Sequence, residues 1–153
     1  PRERLLGSAP GALAAAARAV VALEAGCSAT DVQVGVVGSG TSFVIPWSQA
    51  SIGGHSAEGV LPAAALARLD RRIGLLWPPG PETLGNAAAH LVEAVALASR
   101  RIFPAFVVLN GEFGVRRVVA TVPVSVARGG LGEVRMPPLS AREQVQVESA
   151  LGG

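Results

Sequence analysis

Lysine and tyrosine are absent from this sequence, cysteine occurs once, and charged residues make up only 16% of it. Each scarcity excludes something. The single Cys27 cannot form an internal disulfide or a cysteine metal cluster, and it suits a reducing compartment. With aromatic residues at 4%, little ring surface is left for stacking on nucleic-acid bases. All thirteen cations are arginines and the net charge is only +2. The pairs Arg71-Arg72, Arg100-Arg101 and Arg116-Arg117 are scattered, whereas a nucleic-acid face needs clustered charge. No nucleic-acid partner is therefore expected. No uninterrupted apolar run approaches the roughly 18 residues of a membrane span. The Ala-rich stretch at 9–25 is broken by Arg18 and Glu24, and reads as a helix rather than a signal peptide. A cytoplasmic or cytoplasm-facing chain is expected.

Apolar residues, by contrast, are plentiful. They make up 50% of the chain, and the mean hydropathy is +0.45. Some apolar surface is expected to meet a partner. The 153 residues suit one domain with a real core, spanning 1–153. The chain opens on Pro1 rather than Met, and is expected to belong to a longer protein.

The periodicity predicts a helix over 10–25 (PGALAAAARAVVALEA), started by Pro-Gly and stopped at Gly26. VQVGVVG and SFVIPW read as two strands joined by the GSGT turn, a hairpin. SQASIGGHSAEGVLP reads as a loop. A helix over 62–76 starts at Pro62, and WPPGPETLG breaks it. A further helix is predicted over 86–101, with Asn86 as N-cap and Arg100-Arg101 at the negative end of its dipole. The period then changes. IFPAFVVL, VRRVVATVPVSVA and LGEVRMP read as three strands, with NGEFG and RGG as turns. A last helix over 140–151 carries Ser140 and Glu143 in a capping box. The fold class expected is α+β, antiparallel strands packed against long helices.

LNGEFGVRRVVATVPVSVARGGLGEV resembles the late strands of the lactate/malate dehydrogenase family's C-terminal domain, where a LEGEYGV-like turn precedes a DVYVGVPVVLG-like strand. LVEAVALASRRIFPAFVVLNGEFGV is similar to the family's preceding helix. WSQASIGG resembles the WSQA-type phrase of bacterial lactate dehydrogenases, and RLLGSA the family's approach to this domain. The resemblance covers roughly residues 4–150 and is poor over 57–80. The family's other half is a Rossmann domain that binds NAD through G-x-G-x-x-G. No such motif follows a strand here, and no cofactor is expected.

The resemblance also implies which groups the chemistry needs. A histidine moves the substrate proton, a carboxylate orients it, and an arginine grips the substrate carboxylate in a bidentate fork. The family's GEHGD-like turn reads GSGTS here, with Gly40 in the histidine column and Ser42 in the aspartate column after it. The LD[ST]ARFR-like helix start reads ALAAAAR, with Leu13 at the carboxylate and Ala16 at the arginine. The expectation is a pseudoenzyme, with no catalytic, cofactor or metal residues.

The remaining candidates are few. Arg18 and Gln33 fall in columns that hold a phosphate in effector-regulated lactate dehydrogenases, which makes them an anion-binding candidate. His55 lies in an exposed-looking loop as a displaced acid/base candidate. His90 stands three residues before Glu93, a spacing too poor in ligands for a metal site. Ser39, Thr41 and Ser42 have no base nearby in sequence. Trp47 and Trp77 read as core or interface anchors, and Glu112 as a structural turn residue. Trp47, Leu91 and Val95 are the interface candidates. The reading that results is a non-catalytic interaction or oligomerisation module, a homo-oligomer or the partner of a fused or associated domain. The alternatives are a malate/lactate dehydrogenase-like oxidoreductase working with a separate NAD-binding domain, and a small anion-binding or sensor domain.

Overall fold

The computed structural model describes residues 2–152. Helix α1 spans Ala9–Ala25, with Pro10 in its first turn, where the missing N–H costs nothing. Gly26 ends it in the left-handed conformation at φ 67°, and its N–H reaches the Ala22 carbonyl. Alanine at most positions lets α1 lie close to its neighbours. Leu13, Ala14, Ala17 and Val21 are buried along it.

Between α1 and the next long helix the elements are very short. Strand β1 (Val32–Gln33), β2 (Val37–Gly38), β3 (Phe43–Val44), β4 (Ser51–Ile52) and β5 (His55–Ser56) each hold two residues, and helix α2 holds Ala57–Val60. The expected strand over 32–38 is split: β1 joins a small antiparallel sheet in the order β1-β4-β5, while β2 joins the main sheet. The expected β2–β3 hairpin forms, pairing Val37 with Val44 and Gly38 with Phe43. The stretch read as a loop over 48–62 contains a 3-10 turn at Trp47–Gln49, then β4, β5 and α2.

Helix α3 spans Ala63–Gly74, with Pro62 as its N-cap. It buries Ala65, Leu66, Leu69 and Ile73, spaced for one helical face. Glu24 of α1 accepts Arg68 at 2.8 Å and meets Arg72 at 3.6 Å, lining α3 up along α1. Helix α4 spans Pro81–Ala96. It starts earlier than the sequence suggests: Gly80 is its N-cap and Pro81 sets the first turn, so Asn86 is interior. It also stops before the arginine pair. Ala98 and Arg100 take positive φ, 47° and 55°, and turn the chain into the sheet.

Strands β6 (Ile102–Asn110), β7 (Arg116–Ala127) and β8 (Gly130–Val134) form an antiparallel meander. β7 is long enough to carry β2 and β8 along one edge and β6 along the other. Alternate residues Ala120, Val122 and Val124 of β7 and Ala105, Val107 and Leu109 of β6 are buried. Helix α5 (Ala141–Gly152) packs Val147 and Leu151 into this cluster. A second core gathers α1, α3 and the short strands, and α4 adds Leu91 and Ala94 against Val126. Among the described residues, no helix is long and apolar enough to cross a membrane.

Two of the interface candidates are consumed by this packing. Trp47 is 8% exposed and Leu91 9%. Each buries its apolar area in the chain's own core, and Val95 is partly buried against the Leu91 cluster. The exposed apolar side chains of the α4 region are instead Val92 and Leu97.

Candidate functional site

A cleft of about 940 Å³ lies between the 41–47 segment, α3 and α5. Its walls follow from local rules. The 39–42 turn closes on itself: the Ser39 N–H donates to the Ser42 carbonyl at 2.9 Å, and the Ser39 hydroxyl accepts the Ser42 N–H at 3.2 Å. Gly38 must be glycine, because φ is 146° and a Cβ there would sit 2.1 Å from the Ser42 carbonyl oxygen. Gly40 is under no such demand. Its φ is ordinary and a Cβ meets nothing within 4 Å.

Further along, the Trp47 indole N–H donates to Asp70 Oδ1 of α3 at 2.8 Å, fixing ring and carboxylate together. Partial withdrawal from water raises the Asp70 carboxyl above its ordinary range. The Trp47 N–H and the Arg142 charge pull it only part of the way back. Phe43 lies against Trp77 with ring centroids 4.7 Å apart, and Trp77 meets Phe106 edge-on at 5.8 Å.

The α5 wall is held by a carboxylate. Glu143 is 6% exposed. It accepts the Ser48 N–H at 2.9 Å, the Ser48 hydroxyl at 2.5 Å and the Ser140 N–H at 2.8 Å. The Ser140 hydroxyl accepts the Glu143 N–H at 3.3 Å, completing the capping box. Burial alone raises the Glu143 pKa, but the donors from Ser48 and Ser140 overcome it and hold the carboxyl below its ordinary range. Gln49 adds a bond to the Pro138 carbonyl at 2.8 Å. The WSQ phrase therefore fastens two elements: Trp47 holds α3, while Ser48 and Gln49 hold the final helix and its approach.

No family model matches the chain. Among curated proteins it is 31% identical to a malate dehydrogenase of Thioalkalivibrio sulfidiphilus, over 100% of this chain and 53% of that protein. It is 32% identical to a malate dehydrogenase of Nostoc punctiforme, over 94% and 47%. Of solved structures, malate dehydrogenase from Salinibacter ruber superposes with a TM-score of 0.89 at 27% identity, covering 99% of this chain and 53% of that one. Malate dehydrogenase from Aeropyrum pernix shares the fold at a TM-score of 0.92. The chain belongs to the lactate/malate dehydrogenase family, as its C-terminal domain. It spans about half the length of the curated relatives it matches.

In this lactate/malate dehydrogenase domain, Leu13, Thr41 and Ser42 are brought to the cleft together. Leu13 is 1% exposed and belongs to the α1–α3 core. Ala16 is half-buried on the same helix. Among the described residues, no histidine lines the cleft. His55 is exposed on β5. His90 and Glu93 lie 3.9 Å apart on the exposed side of α4, beside a smaller cavity of about 320 Å³ with Ser99, Arg101 and Phe103. Arg18 and Gln33 are exposed on α1 and β1, and neither lines the cleft. Cys27 is exposed in the turn after α1. Among the described residues, His, Cys, Asp and Glu side chains do not gather in a metal-sized group. Glu112 is paired with Arg2 at 3.1 Å. Burial raises its pKa, but the Asn110 N–H and Arg2 outweigh that and lower it, as suits a turn strut.

Sequence reading missed the roles of Glu58, Asp70 and Arg142. Glu58 fell in a stretch read as a loop, and Asp70 and Arg142 on predicted helices whose neighbours in space the sequence does not show. It also assigned Glu143 only to the capping box, because its other partner, Ser48, is 95 residues away.

Proposed function

We propose that this chain is a non-catalytic interaction module built on a lactate/malate dehydrogenase C-terminal domain, cytoplasmic and part of a larger protein. The observation that carries the reading is Leu13. The resemblance puts the orienting carboxylate in its column, and here a leucine at 1% exposure is part of the core. Gly40 offers no proton-transfer group, and Ala16 offers no fork for a substrate carboxylate. Without those three groups, hydride chemistry on a 2-oxo acid should fall by several orders of magnitude.

The interaction half of the reading rests on what is left uncovered. Leu23, Leu75, Val92 and Leu97 are large, apolar and exposed, Leu75 by 84% and Leu97 by 71%. Exposed apolar side chains of this size on several helices suit a surface that meets another protein, with a second copy as the simplest partner.

Light scattering coupled to size-exclusion chromatography, across a concentration series, is the test. The expected result is a stable dimer or larger species that Leu75→Glu and Leu97→Glu together reduce to monomer. A monomer at every concentration removes the self-association part. NADH-dependent turnover of oxaloacetate or pyruvate, with an NAD-binding domain supplied, replaces the whole reading by the oxidoreductase one.

A further inference from the structure

We propose that Asn110, at the tip of the β6–β7 hairpin, is a site of spontaneous covalent modification. Its side-chain amide is lost to attack by the Gly111 backbone nitrogen, leaving an aspartyl or isoaspartyl residue. The site lies outside the cleft and does not depend on the non-catalytic reading.

The chemistry follows from the Asn-Gly pair. The Gly111 nitrogen gives up its proton and bonds to the Asn110 Cγ. The Cγ–Nδ2 bond breaks and ammonia leaves, closing a succinimide ring. Water then opens the ring at either carbonyl. One opening gives aspartate on the original backbone. The other gives isoaspartate, with the backbone rerouted through Cβ and Cγ. Nothing is oxidised or reduced, and water is the only co-reactant.

The hairpin tip favours this reaction. Asn110 and Gly111 are both exposed, so water reaches the ring and ammonia escapes. Gly111 takes a φ of 121°, a conformation suited to glycine, and a Cβ there would meet nothing within 4 Å. The attacking nitrogen is therefore uncrowded. The next residue but one, Phe113, holds a left-handed φ of 55°, strain that opening of the turn relieves. Asn86, the chain's other asparagine, is followed by Ala87 inside α4. There a methyl group and the helical backbone both oppose ring closure.

The restraint on the reaction is equally local. The Gly111 N–H donates to the Val115 carbonyl at 2.9 Å, which occupies the nucleophile's proton. The Glu112 carboxylate accepts the Asn110 N–H. Arg2 in turn donates to Glu112 at 3.1 Å and to the Val108 carbonyl at 3.1 Å. The native rate therefore follows local opening of the turn, and the Arg2–Glu112 pair governs that opening. The products change the tip in different ways. Asn110 lies across the ladder from Arg116, so an aspartyl carboxylate gains an opposite charge there. An isoaspartyl residue instead adds a backbone atom before Gly111 and disturbs the register with Arg116.

The test incubates the full chain in heavy-oxygen water at neutral and mildly alkaline pH, beside a urea-unfolded sample. Trypsin cuts this lysine-free chain only after arginine, so peptide 102–116 carries Asn110 and peptide 73–100 carries Asn86. Mass spectrometry after chromatography reads both. In the native chain, peptide 102–116 is expected to split into two acidic isomers carrying heavy oxygen, faster at the higher pH, while peptide 73–100 stays an amide. Arg2→Gln and Glu112→Gln should each speed the native reaction by about twofold to fivefold. Neither should change the rate in urea, so either variant alone separates the turn's control from the bare dipeptide's reactivity. Asn110 kept as an amide in the native chain while the unfolded chain converts would overturn the site. Equal conversion of Asn86 and Asn110 in the native chain would overturn the role of the hairpin tip, and unchanged rates in both variants would overturn that of the Arg2–Glu112 pair.

Discussion

Two segments meet beside the cleft under opposite constraints. The first turns of α1 place Leu13, 1% exposed, in the core shared by α1, α3 and the short strands. The 39–42 turn, across from it, holds Gly40 with open space around its missing side chain. In a working member of the family both positions would serve one proton transfer. On the proposed non-catalytic reading, one has been absorbed into the fold and the other vacated. The α1 column has become structural, so it resists restoration; the turn column has not, so a side chain fits there at once.

The largest effect expected from this contrast is at Leu13. Leu13→Asp removes a packed side chain and buries a charge without a partner, costing about 4–6 kcal/mol, as much as the whole stability of a marginal domain. Leu13→Met, which keeps volume and polarity, should cost less than about 1.5 kcal/mol. Urea denaturation followed by circular dichroism compares the two. A Leu13→Asp chain as stable as the parent would mean that the carboxylate column is still free, and the contrast would collapse.

A smaller effect is expected at the far wall. Glu143→Ala leaves the Ser48 N–H, the Ser48 hydroxyl and the Ser140 N–H without their acceptor, costing about 2–3 kcal/mol. The sign of its pH dependence follows from the direction of the shift. The folded carboxyl lies below its ordinary 4.5, so its contribution is complete above that pH and is lost as pH falls through the lower folded value. The gap between parent and Glu143→Ala midpoints should be widest at neutral pH and close under acid. A gap that stays constant from pH 7 to pH 3 would show that the carboxylate charge is not what holds α5.

Legibility in the sequence followed length and period. α1, α3, β6, β7, β8 and α5 were readable because each repeats a helical or alternating pattern over several residues, and Gly26, Pro62, Ser140 and Glu143 punctuate them by mechanisms that need no tertiary knowledge. Over residues 32–61 only the β2–β3 hairpin was readable. Strands of two residues have no period, and only the register against β7 and β4 separates β1 from β2. Helix α4 misled because Asn86 is a good cap in isolation, while Gly80-Pro81 begins the helix a turn and a half sooner. The cleft was half legible. Leu13 and Gly40 stood out through the family resemblance, but Asp70 with Trp47, and Glu143 with Ser48, are pairs made only by folding. The interface candidates illustrate a related point: hydrophobicity marks Trp47 and Leu91 as valuable to bury and does not say what buries them, and here the chain's own core covers both.

The smallest stability effect, and the sharpest test, is Gly40→His. The position has an ordinary φ and no neighbour within 4 Å of a Cβ, so the change should move stability by less than about 0.5 kcal/mol. Gly38→His, two residues earlier, is the internal control. Its positive φ and the Ser42 carbonyl in the path of a Cβ should make it fail to fold, or fold with a large loss. With open space around position 40 and Leu13 in the column where the resemblance puts a carboxylate, the new imidazole should titrate near the unperturbed value of about 6.5 by NMR. It should also restore no turnover, because nothing orients it and nothing grips a substrate carboxylate. A pKa well above 7 would reveal an acidic partner on the α1 side that the fold places elsewhere. Measurable oxaloacetate reduction by Gly40→His alone would show that the vacated turn, and not the α1 core, was the single block to catalysis.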